Sequence, residues 1–335
     1  MTSGFAVAVT EPSQVSEARR RGADVAAALQ LDETTSGRAA LVITEVATNL
    51  LKHGGGGEVF VGPAAPGSTK GLQVIALDKG RGMANVRASL EDGVSTTGTA
   101  GTGLGAISRA STSFDIYSEL GAGTVVAATV YGNGAVPPLA AGLSVPLAGE
   151  TRCGDGWATW TAGELMSIFL CDGLGHGVEA AHATDLAVAA FRRHAEQPTR
   201  QIIEQVFAAL KPSRGAAVAV AELDRREGRA RFCGLGNIAG TIVRRDGSSH
   251  SLVSYPGIAG HTMRRLQEFT YEWPAGSLIV LQSDGLSTHW SLEPYSGLLS
   301  RDPAVIAGVL YRDFRRVRDD ATVVVARNGI NGVRA

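Results

Sequence analysis

Four acidic positions stand at expected strand ends with small neighbours. They are Asp155 in CGDGW, Asp172 in FLCDGLGHG, Asp284 in QSDGL, and Asp319-Asp320 in RDDATVVVA. A single Asp-Gly pair is an ordinary turn signal. Four such carboxylates at strand ends can instead converge at one end of a sheet sandwich. A converged set is untenable without cations, because like charges raise one another's pKa values. Carboxylate oxygens, a bare glycine carbonyl and waters suit Mg²⁺ or Mn²⁺. Two such ions ~3.5–4 Å apart activate a bridging water for attack on phosphorus.

A second constellation lies earlier in the chain. Glu45 and Asn49 stand at i and i+4, so they share one helix face. A carboxylate beside a carboxamide can accept a proton next to an Mg²⁺ ligand. Asp78-Lys79-Gly80-Arg81-Gly82 follows a strand-like run as a tight acidic turn. Between Gly98 and Gly105 four residues are glycine, and a helix follows. Backbone N–H groups at such a helix start make a phosphate site. Each signal is weak alone; their order and spacing point to a bound nucleotide.

Several elements must position these groups. Helices are expected over 12–29 and 33–52, the second carrying Glu45 and Asn49, with His53 at its C-terminal end. Strands are expected over 58–62, 72–77, 114–118 and 124–131, and a helix from about Leu104. Pro137-Pro138 marks a linker over 135–140. Beyond it come strands at 143–147, 158–161, 165–170, 216–223, 229–235, 240–244, 269–273, 278–282 and 321–327. Helices are expected at 178–196, 199–209 and 303–314. A domain over 1–134 and another over 141–330 follow, each long enough for its own core in a chain of 335 residues.

Composition narrows the function class. The net charge is −1, and the first 134 residues carry 10 Lys and Arg against 12 Asp and Glu. That balance gives no basis for nucleic-acid binding. No apolar run reaches the ~18 residues of a membrane span, and the N-terminus lacks a basic leader. Cys153, Cys171 and Cys233 are three in number and lack metal-ligand spacing. A reduced, cytoplasmic setting is the expectation.

The stretches ITEVATNLLKHGGG, LDKGRGMANVRASLEDGVSTTGTAGTGLGAI and FDIYSELGAGTVV resemble the GHKL ATPases, and among them the RsbT-like anti-sigma-type serine kinases. The resemblance implies an N-terminal GHKL (Bergerat) α/β sandwich binding ATP with Mg²⁺. It makes Glu45 the general base for a substrate hydroxyl and Asn49 the Mg²⁺ ligand. Asp78 would receive the adenine amino group, and Gly80 and Gly82 would shape that wall. Gly101, Gly103 and Gly105 would cradle phosphate, and Thr124 would support the base pocket.

The stretches CGDGWAT, FLCDGLGHGVEAAHAT, CGLGNIAG, LIVLQSDGL and DDATVVVA resemble the PPM-type Ser/Thr phosphatases, and among them the RsbX-like branch of the SpoIIE group. This implies a C-terminal αββα sandwich binding two Mn²⁺ or Mg²⁺ ions. Asp172 would bridge the ions, with the Gly173 carbonyl, Asp155, Asp284 and Asp319 completing the set and Asp320 a further candidate beside Asp319. Two departures stand out. Trp157-Ala158-Thr159-Trp160 replaces a second acidic residue, and Asn237 stands where many relatives have histidine.

Together the resemblances imply a partner-switching regulator that phosphorylates and dephosphorylates STAS-domain proteins of the RsbS/RsbR type. Two alternatives remain open at this point: a phosphatase with an ATP-sensing or docking domain, and a non-enzymatic adaptor. His176 is expected to cap or pack against the helix after it. Cys171 and Cys233 are expected to be buried packing residues, and the tryptophans core or rim aromatics.

Overall fold

The computed structural model describes residues 4–65, 70–86, 90, 103–132 and 139–329. The chain divides into two compact units. Unit 1 comprises Met1–Ala64, Thr69–Pro138 and Ser300–Arg312; unit 2 comprises Ala65–Ser68, Leu139–Leu299 and Asp313–Ala335. Residues 300–312, inside the stretch expected for the second domain, thus belong to the first compact unit.

Unit 1 is built on an antiparallel sheet. Its strands are β1 (Phe5–Val9), β2 (Gly57–Pro63), β3 (Gly71–Leu77), β4 (Ser113–Glu119) and β5 (Gly123–Tyr131), in the order β1-β2-β3-β5-β4. Among the described residues, α1 (Pro12–Ala28), α2 (Glu33–Asn49) and α3 (Gly103–Ala110) pack on one face. Alternation decides which side chains meet them. Val59, Val61, Val74, Ala76, Val126 and Ala128 pack with Val25, Ile43, Val46 and Ile107 in one core. The intervening residues Phe60, Ile75, Leu77, Tyr117, Val125 and Ala127 face the other way, and they too are buried. This explains why β3 and β5 read as continuous apolar runs and not as alternating ones.

Unit 2 is a two-sheet sandwich. The first sheet contains β7 (Asp155–Ala162), β8 (Leu165–Gly173), β9 (Ala216–Asp224), β10 (Arg229–Leu235), β13 (Ser254–Tyr255) and β16 (Phe269–Glu272). The second runs β12-β11-β17-β18-β6, from β6 (Ala140–Val145), β11 (Ala239–Val243), β12 (Ser249–Leu252), β17 (Leu278–Gln282) and β18 (Ala321–Arg327). Trp157, Ile168, Leu170, Phe232, Ile279, Leu281 and Val324 fill the space between the sheets. Phe169 and Cys171, one residue out of phase, instead meet α4 (Gly177–His194) and α5 (Thr199–Leu210) on the outer face. A two-stranded ribbon joins β14 (Gly257–Ile258) to β15 (Thr262–Met263). The sequence pattern does not announce β12, because three of its four residues are exposed and polar.

The last helix, α6 (Pro303–Phe314), is buried at nine consecutive positions, from Ala304 to Arg312. It lies on the outer face of the unit 1 sheet. A Cβ on Gly308 would sit 2.7 Å from Val125 Cγ1 and 3.0 Å from Ile75 Cγ2, so only glycine admits this approach.

Candidate functional site

The carboxylates of unit 2 are positioned by register. Antiparallel pairing of β7 with β8 sets Asp155 directly opposite Asp172. Both are in phase with the residues that face the second sheet, so they lie at the mouth of the space between the sheets. Asp155 Oδ2 accepts a bond from Ser283 Oγ at 2.6 Å, and Ser283 Oγ accepts from Thr322 N at 2.9 Å. That hydroxyl ties β7 to the ends of β17 and β18. The next residue after Ser283 is Asp284, whose Oδ2 accepts from Asn237 Nδ2 at 2.7 Å. Arg316 Nη1 donates to the Asp284 carbonyl at 3.3 Å.

The tandem acids before β18 do different work. Asp320 Oδ1 accepts from Leu147 N at 2.6 Å and its Oδ2 from Gly154 N at 2.8 Å, and the residue is buried. Asp320 is therefore a brace for the β6–β7 connection. Asp319 is exposed, and one of its oxygens accepts the Asp320 N–H at 2.9 Å. The glycines beside the carboxylates are sterically required. A Cβ on Gly154 would stand 2.7 Å from Asp320 Oδ2, and one on Gly173 would stand 2.4 Å from the Ala180 carbonyl.

The electrostatics of the set follow from crowding. Burial pushes Asp172 up to about 7, reinforced by Asp284, Asp319 and Asp320. Burial and then the Asp172 charge hold Asp155 well above the usual carboxylate range. Asp284 is raised by burial and by Asp319, against the pull of Arg316 and Asn237. Oxygen donors that destabilise one another's charge are the chemistry a hard divalent cation relieves. The residues present therefore fit Mg²⁺ or Mn²⁺. Among the described residues no three His, Cys, Asp or Glu side chains surround one common point. Carbonyl, water or substrate oxygens would have to complete any coordination.

His176 occupies the position before α4, as the sequence suggests, but its side chain bonds no helix N–H. Its Nδ1 lies 2.6 Å from Glu150 Oε1, because a nearby carboxylate offers a better partner than a helix start rich in donors. Cys171 is buried and within 3.4 Å of Thr184 Oγ1, and Cys233 is buried. Trp157 and Trp273 are core residues, whereas Trp160 and Trp290 are half-buried.

In unit 1, Asp32 starts the helix that carries the Glu45/Asn49 pair, its Oδ1 accepting from Thr35 N at 2.8 Å. Asn49 is the last α-helical residue. A π turn over Leu50–Gly54 follows, and Gly55 closes it at φ 69°. Gly103 packs against the pair: a Cβ there would be 3.2 Å from Asn49 Oδ1 and 3.5 Å from Glu45 Oε2. The start of α3 thus meets the C-terminal end of α2.

The π turn also reaches the acidic turn, since a Cβ on Gly54 would be 3.0 Å from Asp78 Cβ. Asp78 is buried at the end of β3, and its Oδ1 accepts from Gly80 N at 2.8 Å. Burial raises its carboxyl, opposed by the N–H bonds at Gly80 and Thr124 and by the Arg312 charge. Thr124 is buried; its carbonyl accepts the Asp78 N–H at 2.9 Å and its Oγ1 lies 2.8 Å from Ser118 Oγ. Gly82 has φ +66° and packs on the Glu119 carbonyl, and Gly105 is buried in α3. Gly101 lies outside the described residues. Sequence reasoning missed Ser118 and Ser283, which hold Thr124 and Asp155. Their only signal is adjacency to the motif residues.

Two stretches of the chain match known families. Residues 8–130 match the family of the histidine kinase-like ATPase domain, and residues 162–328 match Stage II sporulation protein E (SpoIIE). Over 111 residues the chain is 35% identical to the serine/threonine-protein kinase RsbT of Bacillus subtilis (strain 168), covering 33% of this chain and 84% of RsbT. Over 139 residues it is 22% identical to the phosphoserine phosphatase RsbX of the same organism, covering 42% of this chain and 70% of RsbX. A solved structure described as "The bacterial stressosome: a modular system that has been adapted to control secondary messenger signaling" superposes with a TM-score of 0.52 at 26% identity. It covers 56% of this chain and 98% of its own.

Proposed function

We propose that this chain, which belongs to the histidine kinase-like ATPase family through an RsbT-like kinase domain and to the SpoIIE family through a PPM-type Ser/Thr phosphatase domain, runs both reactions on STAS-domain proteins of a partner-switching pathway. The observation that carries the reading is the pairing of Asp155 opposite Asp172 at the mouth of the sandwich, in a chain that also sets Glu45 and Asn49 against Gly103. The names of the two relatives support it: one adds phosphate to Ser or Thr, and the other removes it from phosphoserine. We assign the kinase to 1–134, a linker to 135–140 and the phosphatase to 141–330.

In the kinase, Glu45 takes the proton of the substrate hydroxyl and Asn49 holds the Mg²⁺ that accompanies ATP. Asp78, with Gly80, Gly82 and Thr124, receives adenine, and Gly101, Gly103 and Gly105 cradle the phosphates. Phosphoryl transfer needs mostly such positioning and charge neutralisation. In the phosphatase, Asp172, Asp155, Asp284, Asp319 and the Gly173 carbonyl hold Mn²⁺ or Mg²⁺. Bound there, the ions supply a nucleophilic water at neutral pH. Asn237 and Ser283 orient two of the carboxylates, and Asp320 fixes the backbone that presents Asp155. A cytoplasmic setting is supported by three free thiols. Among the described residues no helix is long and apolar enough to cross a membrane.

Incubation of the full chain with a STAS-domain partner, MgATP and Mn²⁺ tests the reading. Glu45→Ala is expected to abolish phosphate incorporation and Asp172→Ala to abolish its removal, each sparing the other reaction. Incorporation unaffected by Glu45→Ala, or removal unaffected by Asp172→Ala, overturns the corresponding half.

A further inference from the structure

Among the described residues six large apolar side chains are exposed: Leu41, Leu120, Leu174, Val178, Val253 and Val317. Exposed apolar residues scattered singly call for no explanation. Leu41, Leu120 and Val253 are of that kind, each on a different stretch of chain. The other three are not scattered. Leu174 and Val178 stand on either side of His176, in the turn that leaves Asp172 and Gly173 and opens α4; they are 50% and 61% exposed. Val317, 72% exposed, lies one residue after Arg316 and two before Asp319. The two segments meet at one mouth. Asp155 stands opposite Asp172, Ser283 Oγ donates to Asp155, and Arg316 Nη1 donates to the carbonyl of the adjoining Asp284.

Local structure does not account for these side chains. Valine is a poor helix former for an exposed first turn, and Val178 does not join Gly177, Ala180 and Ala181 on the buried face of α4. Turns ordinarily carry polar or small residues where Leu174 stands. The backbone beneath them is fixed. Gly173 N donates to the Gly154 carbonyl at 3.1 Å and Leu174 N to the Gly215 carbonyl at 3.0 Å. His176 Nδ1 lies 2.6 Å from Glu150 Oε1, and a Cβ on Gly177 would stand 2.7 Å from Glu150 Oε2. On the other segment, Arg316 N donates to the Gly285 carbonyl at 2.7 Å. Apolar groups already held on a fixed backbone lose little freedom when a partner covers them. Cations adjoin them. The exposed Arg214 has Nη1 3.6 Å from where a Cβ on Gly175 would be, and the exposed Arg316 and Arg318 flank Val317. An occupant that complements these segments therefore carries an anionic group together with apolar side chains.

We propose that Leu174, Val178 and Val317 are the substrate-docking residues of the phosphatase site, and that they favour a phosphoserine flanked by apolar side chains. The inference rests on the reading of unit 2 as a phosphatase. The occupant is the phosphorylated segment itself, because the patch is continuous with the residues that would receive the phosphate. A small phosphoester reaches the acids without touching these side chains, whereas a peptide chain must cross them. They should thus govern the KM for phosphopeptides and leave the turnover of a small phosphoester alone. A purely structural role would move both together.

The test gives the full chain, with Mn²⁺, p-nitrophenyl phosphate and two synthetic phosphoserine peptides of equal length, one with leucine and one with serine on both sides of the phosphoserine. The wild-type chain is expected to show a KM about tenfold lower for the leucine-flanked peptide at similar kcat, the scale of covering one leucine-sized surface. The triple variant Leu174→Ser, Val178→Ser, Val317→Ser is expected to bring the two KM values together, with p-nitrophenyl phosphate turnover and the thermal unfolding midpoint unchanged. Leu174→Met with Val178→Ile should keep the preference. Should the triple variant fail to fold, Val178→Ser alone is expected to narrow the preference about twofold. Equal KM values for the two peptides in the wild-type chain overturn the proposal. So does a folded triple variant that keeps the preference, or a Val178→Ser variant that keeps all of it where the triple variant is unfolded. Self-association of the wild-type chain that the triple variant loses, with peptide preference intact, assigns the patch to a second copy and also overturns it. A wild-type chain that hydrolyses neither the peptides nor p-nitrophenyl phosphate is a distinct result: it removes the phosphatase reading and the proposal with it.

Discussion

Gly103→Ala separates stability from chemistry in the kinase-like unit. Gly103 opens α3 outside the left-handed region, so alanine adopts the same backbone without strain. At such positions alanine stabilises a fold by about 0.4–1 kcal/mol, because it restricts the unfolded chain. The new methyl, however, would stand 3.2 Å from Asn49 Oδ1 and 3.5 Å from Glu45 Oε2. The first contact is too close for carbon against oxygen, so the Asn49 amide must retreat by a few tenths of an ångström. Mg²⁺ demands near-ideal octahedral geometry, and a displacement of ~1 Å in a reacting assembly costs about a hundredfold in rate. A loss of about tenfold in phosphoryl transfer is expected, with the unfolding midpoint unchanged or raised. The assay is the initial rate of phosphate incorporation into a STAS-domain partner from MgATP, in an Asp172→Ala background so that product persists. A wild-type rate refutes the contact argument. A loss of rate that accompanies a lower midpoint refutes the claim that the effect is local.

Three further outcomes follow from the same contacts. Ser283→Ala removes a bond to the buried Asp155 and leaves the buried Thr322 N–H without its acceptor. Urea denaturation should show a loss of about 2–3 kcal/mol, and an unchanged midpoint would show that the bond does not brace the sandwich. Asp320→Ala should destabilise the fold through the orphaned Leu147 and Gly154 N–H groups, whereas Asp319→Ala should leave the unfolding midpoint unchanged and raise the Mn²⁺ concentration needed for activity. The reverse pattern would exchange their roles. Because burial raises the Asp78 carboxyl, protonation would remove the proposed adenine acceptor as pH falls, starting above the usual aspartate range. Calorimetric ATP affinity should therefore fall on acidification through that raised value, and affinity constant down to pH 4 would contradict the assignment.

Helices and strands were legible in proportion to how much of their burial was one-sided or uniform. The run FLCDG ends a strand whose alternate residues face two different cores, Ile168 and Leu170 between the sheets and Phe169 and Cys171 toward the helices. Its end at Gly173 is set by the glycine that must follow the carboxylate. Asp155, Asp172 and Asp284 were visible because Asp before Gly at a strand end is a local signal. Their partners were not. Nothing in QSDGL says that Ser283 bonds Asp155, since the contact joins residues far apart in sequence and depends on two sheets meeting. The distinction between Asp319 and Asp320 is equally invisible in RDDAT. It arises because Asp320 turns toward Leu147 N and Gly154 N while Asp319 stays in solvent. Helix 303–314 was legible as a helix, but its membership of unit 1 was not. An apolar stripe announces burial without naming the surface that supplies it.

The two proposed sites differ in donor charge for a physical reason. ATP arrives with its own anionic oxygens, which supply most of the ligands to Mg²⁺. A kinase site then needs only a neutral carboxamide such as Asn49, and a second carboxylate would oppose the phosphates. Glu45 stands one helical turn away, close enough to take a proton yet not required to hold the ion. A phosphomonoester on a protein brings fewer charges, and the phosphatase must hold its ions before substrate arrives. That requires several carboxylates, which repel one another: Asp172 is pushed up to about 7 by burial, Asp284, Asp319 and Asp320. The strain is tolerable because the acids come from different strands, each tied by a neutral bond, Asp155 through Ser283 and Asp284 through Asn237. Asparagine at 237 fits this logic: it donates to Asp284 at every pH, where an imidazole in its place would change charge near neutrality.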